Sequence, residues 1–160
     1  MNVQPADLCR VAKEVLETIA FVFVAQPPRG GPPVAEEQMS AVVGFDGSST
    51  GAVRLVLPTS AAREMAATML GLDSQDSLRS GQVADAVGEL ANVIAGNLLR
   101  VMAGPTAIFR LSSPAARHHA AGEASIALAD PEGAASQTGT LFLESGWVEL
   151  SVVWKEACPA

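Results

Sequence analysis

The segment from Ser80 to Met102 has the sequence SGQVADAVGELANVIAGNLLRVM, and most of its residues are apolar. A helix of this composition should be buried on most of its sides. Asp85, Glu89 and Asn92 nevertheless recur at i, i+4 and i+7, which places them within a sector of about 60° on one helical face. These three residues are termed the polar stripe. They are either the single solvated edge of a core helix or a functional site.

Two further helices are predicted before this one. Apolar residues recur with helical spacing over Ala6–Val24 and again over Ala61–Leu70. Thr59 or Ser60 could cap the second of these helices. The helix that carries the polar stripe should end at Gly104–Pro105, since glycine and proline together are a strong stop signal.

The rest of the chain predicts strands. They are Met39–Phe45 and Ala52–Leu57, joined by the turn-rich Asp46–Gly51, followed by Ala107–Leu111, Ala124–Leu128, Gly139–Leu143 and Trp147–Trp154. The adjacent His118 and His119 are interpreted as a loop. This order predicts an α+β fold with two layers, in which long helices cover one face of a mainly antiparallel sheet. Each half begins with a long helix, so two related halves within a single domain, residues 1–160, are expected.

Composition excludes several function classes. The net charge is −7 with only ten scattered Lys and Arg residues, so a nucleic-acid partner is not expected. Cys9 and Cys158 form no Cys-x-x-Cys spacing, so neither a zinc site nor a dithiol site is indicated. They are interpreted as reduced thiols of a cytoplasmic protein, with a terminal disulfide as the open alternative. No signal peptide is indicated, and the apolar run Ile19–Ala25 is too short to span a membrane.

The residue types of the polar stripe suit positioning more than proton abstraction. The Glu89 carboxylate can pair with a lysine or arginine of a partner. The Asn92 amide both donates and accepts, so it can hold a water molecule beside an electrophile. No Ser-His-Asp or Cys-His arrangement and no phosphate-binding loop is evident, and no metal or cofactor site is predicted.

The pattern Asp85-x-x-x-Glu89-x-x-Asn92, within DAVGELANVIAGN, resembles the signature helix of the CheC/CheX/FliY chemotaxis phosphatases. The flanking segments Met65–Gly71 and Ile108–Pro114 resemble those of CheX. The resemblance implies a phosphatase that acts on a phosphorylated CheY-type response regulator, with Mg²⁺ bound by the regulator and no cofactor on this chain.

The resemblance also implies roles for individual residues. Glu89 would form a salt bridge with the lysine of the regulator's active site, and Asn92 would orient the attacking water. Asp85 would orient the helix edge toward the partner. The first helix has Glu14 and Glu17 but lacks the Glu-x-x-Asn amide. A single motif per chain resembles CheX, whose members typically form homodimers.

Less specific interpretations stay open at this point. Spacing alone would favour a merely solvated stripe, and a module that docks a response regulator or another signalling protein without catalysis is the alternative function. Gly88 is interpreted as a packing position. Gly96 lies on the same helical face as Asp85, and it could serve either packing or the approach of a partner.

Overall fold

The computed structural model describes residues 3–26, 36–125, 127–128 and 132–156. Within these ranges the chain forms three α-helices and six strands. They are α1 (Pro5–Val15), β1 (Gln38–Gly47), β2 (Ser49–Pro58), α2 (Thr59–Met69), α3 (Gln82–Ala103), β3 (Phe109–Leu111), β4 (Ala115–His119), β5 (Ala135–Leu143) and β6 (Gly146–Glu156). A π-helical turn, Leu16–Ala20, extends α1, and a 3₁₀ turn, Gln75–Ser77, precedes α3.

The six strands form one antiparallel sheet in the order β3-β1-β2-β6-β5. Both β3 and β4 pair with β1, on the side away from β2: β3 pairs with its last residues and β4 with its first five. β3 and β4 therefore act as one edge strand that is interrupted at residues 112–114. This interruption borders the helix that carries the polar stripe.

The core lies between one face of the sheet and the helices. Alternate residues of β1 and β6 point into it and are buried, as expected for strands with one covered face. They are Met39, Ala41, Val43 and Phe45 on β1, and Val148, Leu150, Val152 and Trp154 on β6. The three helices pack on this face and on one another. The predicted two-layer α+β fold is confirmed.

The two long helices lie over different halves of the sheet. α1 packs on β5 and β6, whereas α3 packs on β1 and β4, and the two helices contact each other. This placement fits two related halves, although a duplication itself stays a prediction. α3 is also the one described helix long and apolar enough to cross a membrane, yet ten of its residues are buried within this fold.

Two sequence-based predictions of helix ends are wrong. The sequence predicts that α1 reaches Val24, but the π-helical turn ends at Ala20 and is followed by Phe21, which has a left-handed φ of 52°. Val22 instead donates its N–H to the Leu16 carbonyl across this turn. The N-cap of α2 is Pro58, because Thr59 is already the first helical residue; the Thr59 N–H donates to the Glu37 carbonyl at 2.8 Å.

Two predictions between α3 and β5 are also wrong. His118 and His119 lie in β4 rather than in a loop, and their side chains point to opposite faces, with only 1% of His119 exposed. The His119 Nε2 lies 2.7 Å from the Ser40 hydroxyl, a contact that anchors the edge strand. Residues 124–125 and 127–128 are not strand, because a turn closed by Glu123 precedes them. Cys158 lies outside the described residues.

Candidate active site

α3 presents the polar stripe at its exposed edge. Asp85 and Glu89 are exposed and Asn92 is half-buried, so all three can be reached from solvent. The opposite side of the helix is packed against the sheet through Leu90, Ile94 and other apolar residues. The spacing read from the sequence therefore produces the expected geometry. Glu89 and Asn92 are three residues apart, a rise of about 4.5 Å along the helix axis.

The stripe side chains make no hydrogen bond or ion pair with any residue in the described ranges. Nearby Asn97 behaves differently, because its Nδ2 donates to the Val93 carbonyl at 3.0 Å. An asparagine within a helix costs about half a kcal/mol relative to alanine. Asn92 has no described local bond to offset that cost. Its amide is available to a water molecule or to a partner.

A groove of about 420 Å³ runs beside the stripe. One wall is α3, and the other is the start of the β4 edge strand; the lining residues are Ala84, Asp85, Gly88, Glu89, Pro114 and Ala116. The two walls touch where Gly88 meets Pro114. A Cβ added to Gly88 would lie 3.2 Å from the Cβ of Pro114, so the glycine permits this close approach. The packing interpretation of Gly88 is confirmed.

Hydrogen bonds to β1 hold the far wall in place. Ser112 donates its N–H to the Gly44 carbonyl at 2.9 Å, and its hydroxyl accepts the Gly44 N–H at 2.9 Å. This pairing fixes the chain immediately before Pro114. This part of the wall is therefore hydrogen-bonded to the sheet edge.

Gly96 continues the exposed edge of α3. It is exposed, and no atom would lie within 4 Å of a Cβ added there, so packing does not explain this glycine. The approach of a partner at this position stays a prediction. Sequence reasoning noted Pro114 only as part of a flanking motif and did not identify Ala116, because β4 was not predicted.

The corresponding carboxylates on α1 are already paired. Arg10 Nη1 lies 3.4 Å from Glu14 Oε1, and Lys13 Nζ lies 3.8 Å from Glu17 Oε1. Ordinary i,i+4 pairs of this kind are typical of a solvated helix face. This arrangement agrees with the absence of a second Glu-x-x-Asn pair in the sequence. Among the described residues no group of three His, Cys, Asp or Glu side chains could hold a metal ion.

Residues 39–132 match the family model described as chemotaxis phosphatase CheX. The chain belongs to the CheX family. The matched region contains α3 with the whole polar stripe, and also the edge strand that forms the second wall of the groove. No curated protein matches the chain significantly.

Solved CheX structures share this fold. The chemotaxis protein CheX from Vibrio vulnificus superposes with a TM-score of 0.72 at 19% identity, covering 94% of this chain and 95% of that one. CheX from Desulfovibrio desulfuricans gives a TM-score of 0.71 at 19% identity, covering 94% and 97%. The CheX–CheY–BeF₃–Mg²⁺ complex from Borrelia burgdorferi gives a TM-score of 0.64 at 19% identity, covering 94% of this chain and 97% of that one.

Proposed function

We propose that this CheX-family chain hydrolyses the aspartyl phosphate of a CheY-type response regulator, with Glu89 docking the regulator and Asn92 positioning the attacking water. The observation that carries the proposal is that the side chains of the polar stripe are accessible and, within the described part of the chain, unpaired. Its carboxylates and its amide lie on one exposed helix edge and have no partner among the described residues. An exposed edge of this kind is suited to binding a partner with complementary charges and hydrogen-bonding groups.

Glu89 suits the docking role. Its carboxylate is exposed beside the groove and would pair with a lysine next to the regulator's phosphoryl group. A charge-assisted hydrogen bond of this kind contributes about 1.5–3 kcal/mol. Asp85 lies one turn earlier on the same edge and would orient that edge toward the partner.

Asn92 suits the positioning role because an amide offers a donor and an acceptor at once. In the proposed step, the oxygen of the held water forms a bond to phosphorus while the bond from phosphorus to the aspartyl oxygen breaks. Inorganic phosphate leaves, and the regulator recovers its free carboxylate. Phosphoryl transfer of this type depends on positioning and electrostatics more than on covalent chemistry by the protein.

The site on this chain would therefore be incomplete by itself. The phosphoryl group and the Mg²⁺ would both arrive on the regulator, as the solved CheX–CheY complex contains BeF₃ and Mg²⁺. The same family resemblance supports two further parts of the proposal, a homodimer and a cytoplasmic location. Light scattering tests the first, since a dimer would have twice the chain mass of 16.4 kDa.

The deciding experiment compares two asparagines of α3. The phosphate released from a phosphorylated CheY-type regulator with Mg²⁺ is measured for the wild type, Asn92→Ala and Asn97→Ala. We expect Asn92→Ala to lose activity by about 100-fold or more, because it removes the water-positioning group. Asn97→Ala, which removes only a local bond to Val93, should retain near wild-type activity.

The outcome also separates catalysis from docking. If the wild-type chain binds the regulator yet releases phosphate no faster than the regulator does alone, the chain is a docking module and the proposal is wrong. If Asn92→Ala is as active as the wild type, the assigned mechanism is wrong even though the chain is a phosphatase.

A further inference from the structure

The exposed edge of α3 extends beyond the polar stripe. Gly96 and Arg100 continue it at the same helical spacing, and together with the stripe they occupy a sector of about 80°. Arg100 is exposed and makes no ion pair with a carboxylate in the described part of the chain. Arg100 lies about 16 Å from Glu89 along the helix axis.

This edge therefore has a charge polarity. Two carboxylates lie toward its start and one guanidinium toward its end, with an uncharged section at Asn92 and Gly96 between them. A basic residue in the last turn also favours the helix dipole, which would explain Arg100 without any partner. The surroundings of Arg100 supply a second observation that the dipole does not explain.

A hollow of about 170 Å³ opens beside Arg100, between the end of α3 and β3. Its lining includes Gly96 and the apolar side chains of Leu99, Phe109 and Leu111. The neighbouring Ile108 is 84% exposed and Leu111 is 37% exposed. Leu111 lines the hollow together with Arg100, and an exposed apolar side chain beside an unpaired charge is typical of an interaction site.

We propose that Gly96, Arg100 and this hollow form a second contact for the same response regulator, in which Arg100 binds a carboxylate and the hollow receives an apolar side chain. This inference rests on the proposed function. The second contact lies on the same edge of α3 as Glu89, so a regulator whose lysine pairs with Glu89 would also lie over Arg100. The positive charge of Arg100 would then pair with a carboxylate of that regulator. The contact would fix the direction in which the regulator lies on α3.

The inference predicts a partner of defined chemistry. The regulator should carry a carboxylate about 16 Å from its active-site lysine, measured along α3, with an exposed apolar residue beside it. Because Arg100 lies far from the reacting atoms, it would act on binding rather than on the chemical step. It is a specificity residue and has no catalytic role.

Charge reversal at Arg100 tests the first half of the contact. The KM and kcat for the phosphorylated regulator are measured for Arg100→Glu and for Lys155→Glu, which changes the net charge equally. Side chains alternate between the two faces of a strand. Trp154 points into the core, so the exposed side chain of Lys155 points to the face of the sheet away from the helices. We expect Arg100→Glu to raise KM by about tenfold with kcat within about twofold of wild type, and Lys155→Glu to change neither.

Leu111→Ser tests the apolar half, with Leu70→Ser as the control. Leu70 is 46% exposed at the end of α2 and lies outside the hollow. We expect only the Leu111 variant to raise KM. If KM is the same for Arg100→Glu as for Lys155→Glu, and the same for Leu111→Ser as for Leu70→Ser, no second contact exists.

The test distinguishes failure of the inference from failure of the proposed function. If the wild type releases no phosphate, the proposed function fails. Binding of the regulator in its beryllofluoride form, measured by titration calorimetry, then decides the second contact through the same variants. A second copy of this chain is the other possible occupant, since an antiparallel pair of α3 edges would match Arg100 with Glu89. Loss of a dimer in Arg100→Glu with unchanged KM would overturn the inference in favour of that arrangement.

Discussion

Gly88 of α3 lies directly against Pro114 of the sheet edge, and a Cβ on the glycine would approach the proline Cβ to 3.2 Å. This contact joins the helix that carries the polar stripe to the opposite wall of the groove. It sets the distance between Glu89 and that wall. The geometry of the candidate site thus depends on the smallest possible side chain at position 88.

The contact predicts that bulk at position 88 is destabilising. Gly88→Val should lower the free energy of unfolding by about 1–3 kcal/mol, because the added methyl groups overpack against Pro114. Gly88→Ala should change it less, since the gain of up to about 1 kcal/mol in helix propensity offsets a tight contact. Urea unfolding of both variants provides the measurement.

A double-mutant cycle attributes the loss to the proline. Pro114→Gly removes both ring atoms that face position 88. In its background, Gly88→Val should cost at least about 0.5 kcal/mol less than in the wild type. Equal costs in the two backgrounds would mean that the strain lies elsewhere.

The sequence is sufficient to predict α3 and most of the sheet, because their apolar patterns are long and regular. α3 was expected over Ser80–Met102 and spans Gln82–Ala103. The paired strands β1 and β2 each extend one to three residues beyond their predicted ends. Asp46 and Gly47 are strand because they pair with β3, and Ser49 and Thr50 because they pair with β6. Pattern identifies the buried part of a strand but not its exposed ends.

β4 illustrates what the pattern cannot predict. The residues Ala-Ala-Arg-His-His have neither β-branched side chains nor alternation, and they form a strand because β1 offers an unpaired edge. His119 is buried there against Ser40, a partner 79 residues away. By contrast, Ala124–Leu128 has an apolar composition but follows a turn, and its described residues are not strand.

The candidate site also has one part that the sequence predicts and one part that it does not. The stripe was predictable because all its members lie on one helix, where spacing determines the face. The groove was not, because its second wall depends on the pairing of Ala116 with Ala41 of β1, which places the preceding Pro114 beside α3. Arg100 could have been found from the sequence, since it follows Gly96 by four residues on the same helical face.

The docking role of Glu89 predicts a salt-dependent effect. Glu89→Gln removes the charge but keeps the shape, so kcat/KM for the phosphorylated regulator should fall by about 10- to 100-fold. The KM of the variant should also respond less to added salt than that of the wild type, because one ionic contact is missing. Steady-state phosphate release at several NaCl concentrations measures both effects.

Glu64→Gln is the matched control for this substitution. Glu64 is an exposed glutamate on α2, outside the groove. Its activity and salt response should equal those of the wild type. If Glu89→Gln and Glu64→Gln behave alike, Glu89 does not pair with the regulator.

Gly96 predicts opposite effects on stability and on activity. Gly96→Ala should raise the free energy of unfolding by up to about 1 kcal/mol, because the position is helical and open. Gly96→Phe should fold as well but should raise KM for the regulator by about tenfold or more, because the ring would project into the approach path. Thermal unfolding and steady-state kinetics measure the two effects, and a Gly96→Phe variant with unchanged KM would show that no partner covers this position.

The turn after β4 predicts a dependence of stability on acid pH. The Glu123 carboxylate accepts the Ala120 N–H at 3.0 Å, and its other oxygen lies 3.0 Å from Arg117. The backbone hydrogen bond from Ala120, followed by the charges of Arg117 and His119, lowers the pKa of Glu123 below its usual value. Because the folded state favours the ionised form, the stabilisation is complete above the usual glutamate pKa. It is lost as the pH falls through the lowered one.

Glu123→Gln tests this linkage by removing the titrating group while keeping a hydrogen-bond acceptor. The free energy of unfolding of the variant should be lower than that of the wild type near neutral pH. The difference should shrink as the pH falls below the usual glutamate pKa of about 4.3 and through the lowered one, because the unfolded wild type then takes up a proton that the folded wild type resists. Urea unfolding at a series of pH values from neutral to acid measures the difference. A difference that stays constant over this series would mean that the charge of Glu123 does not stabilise the turn.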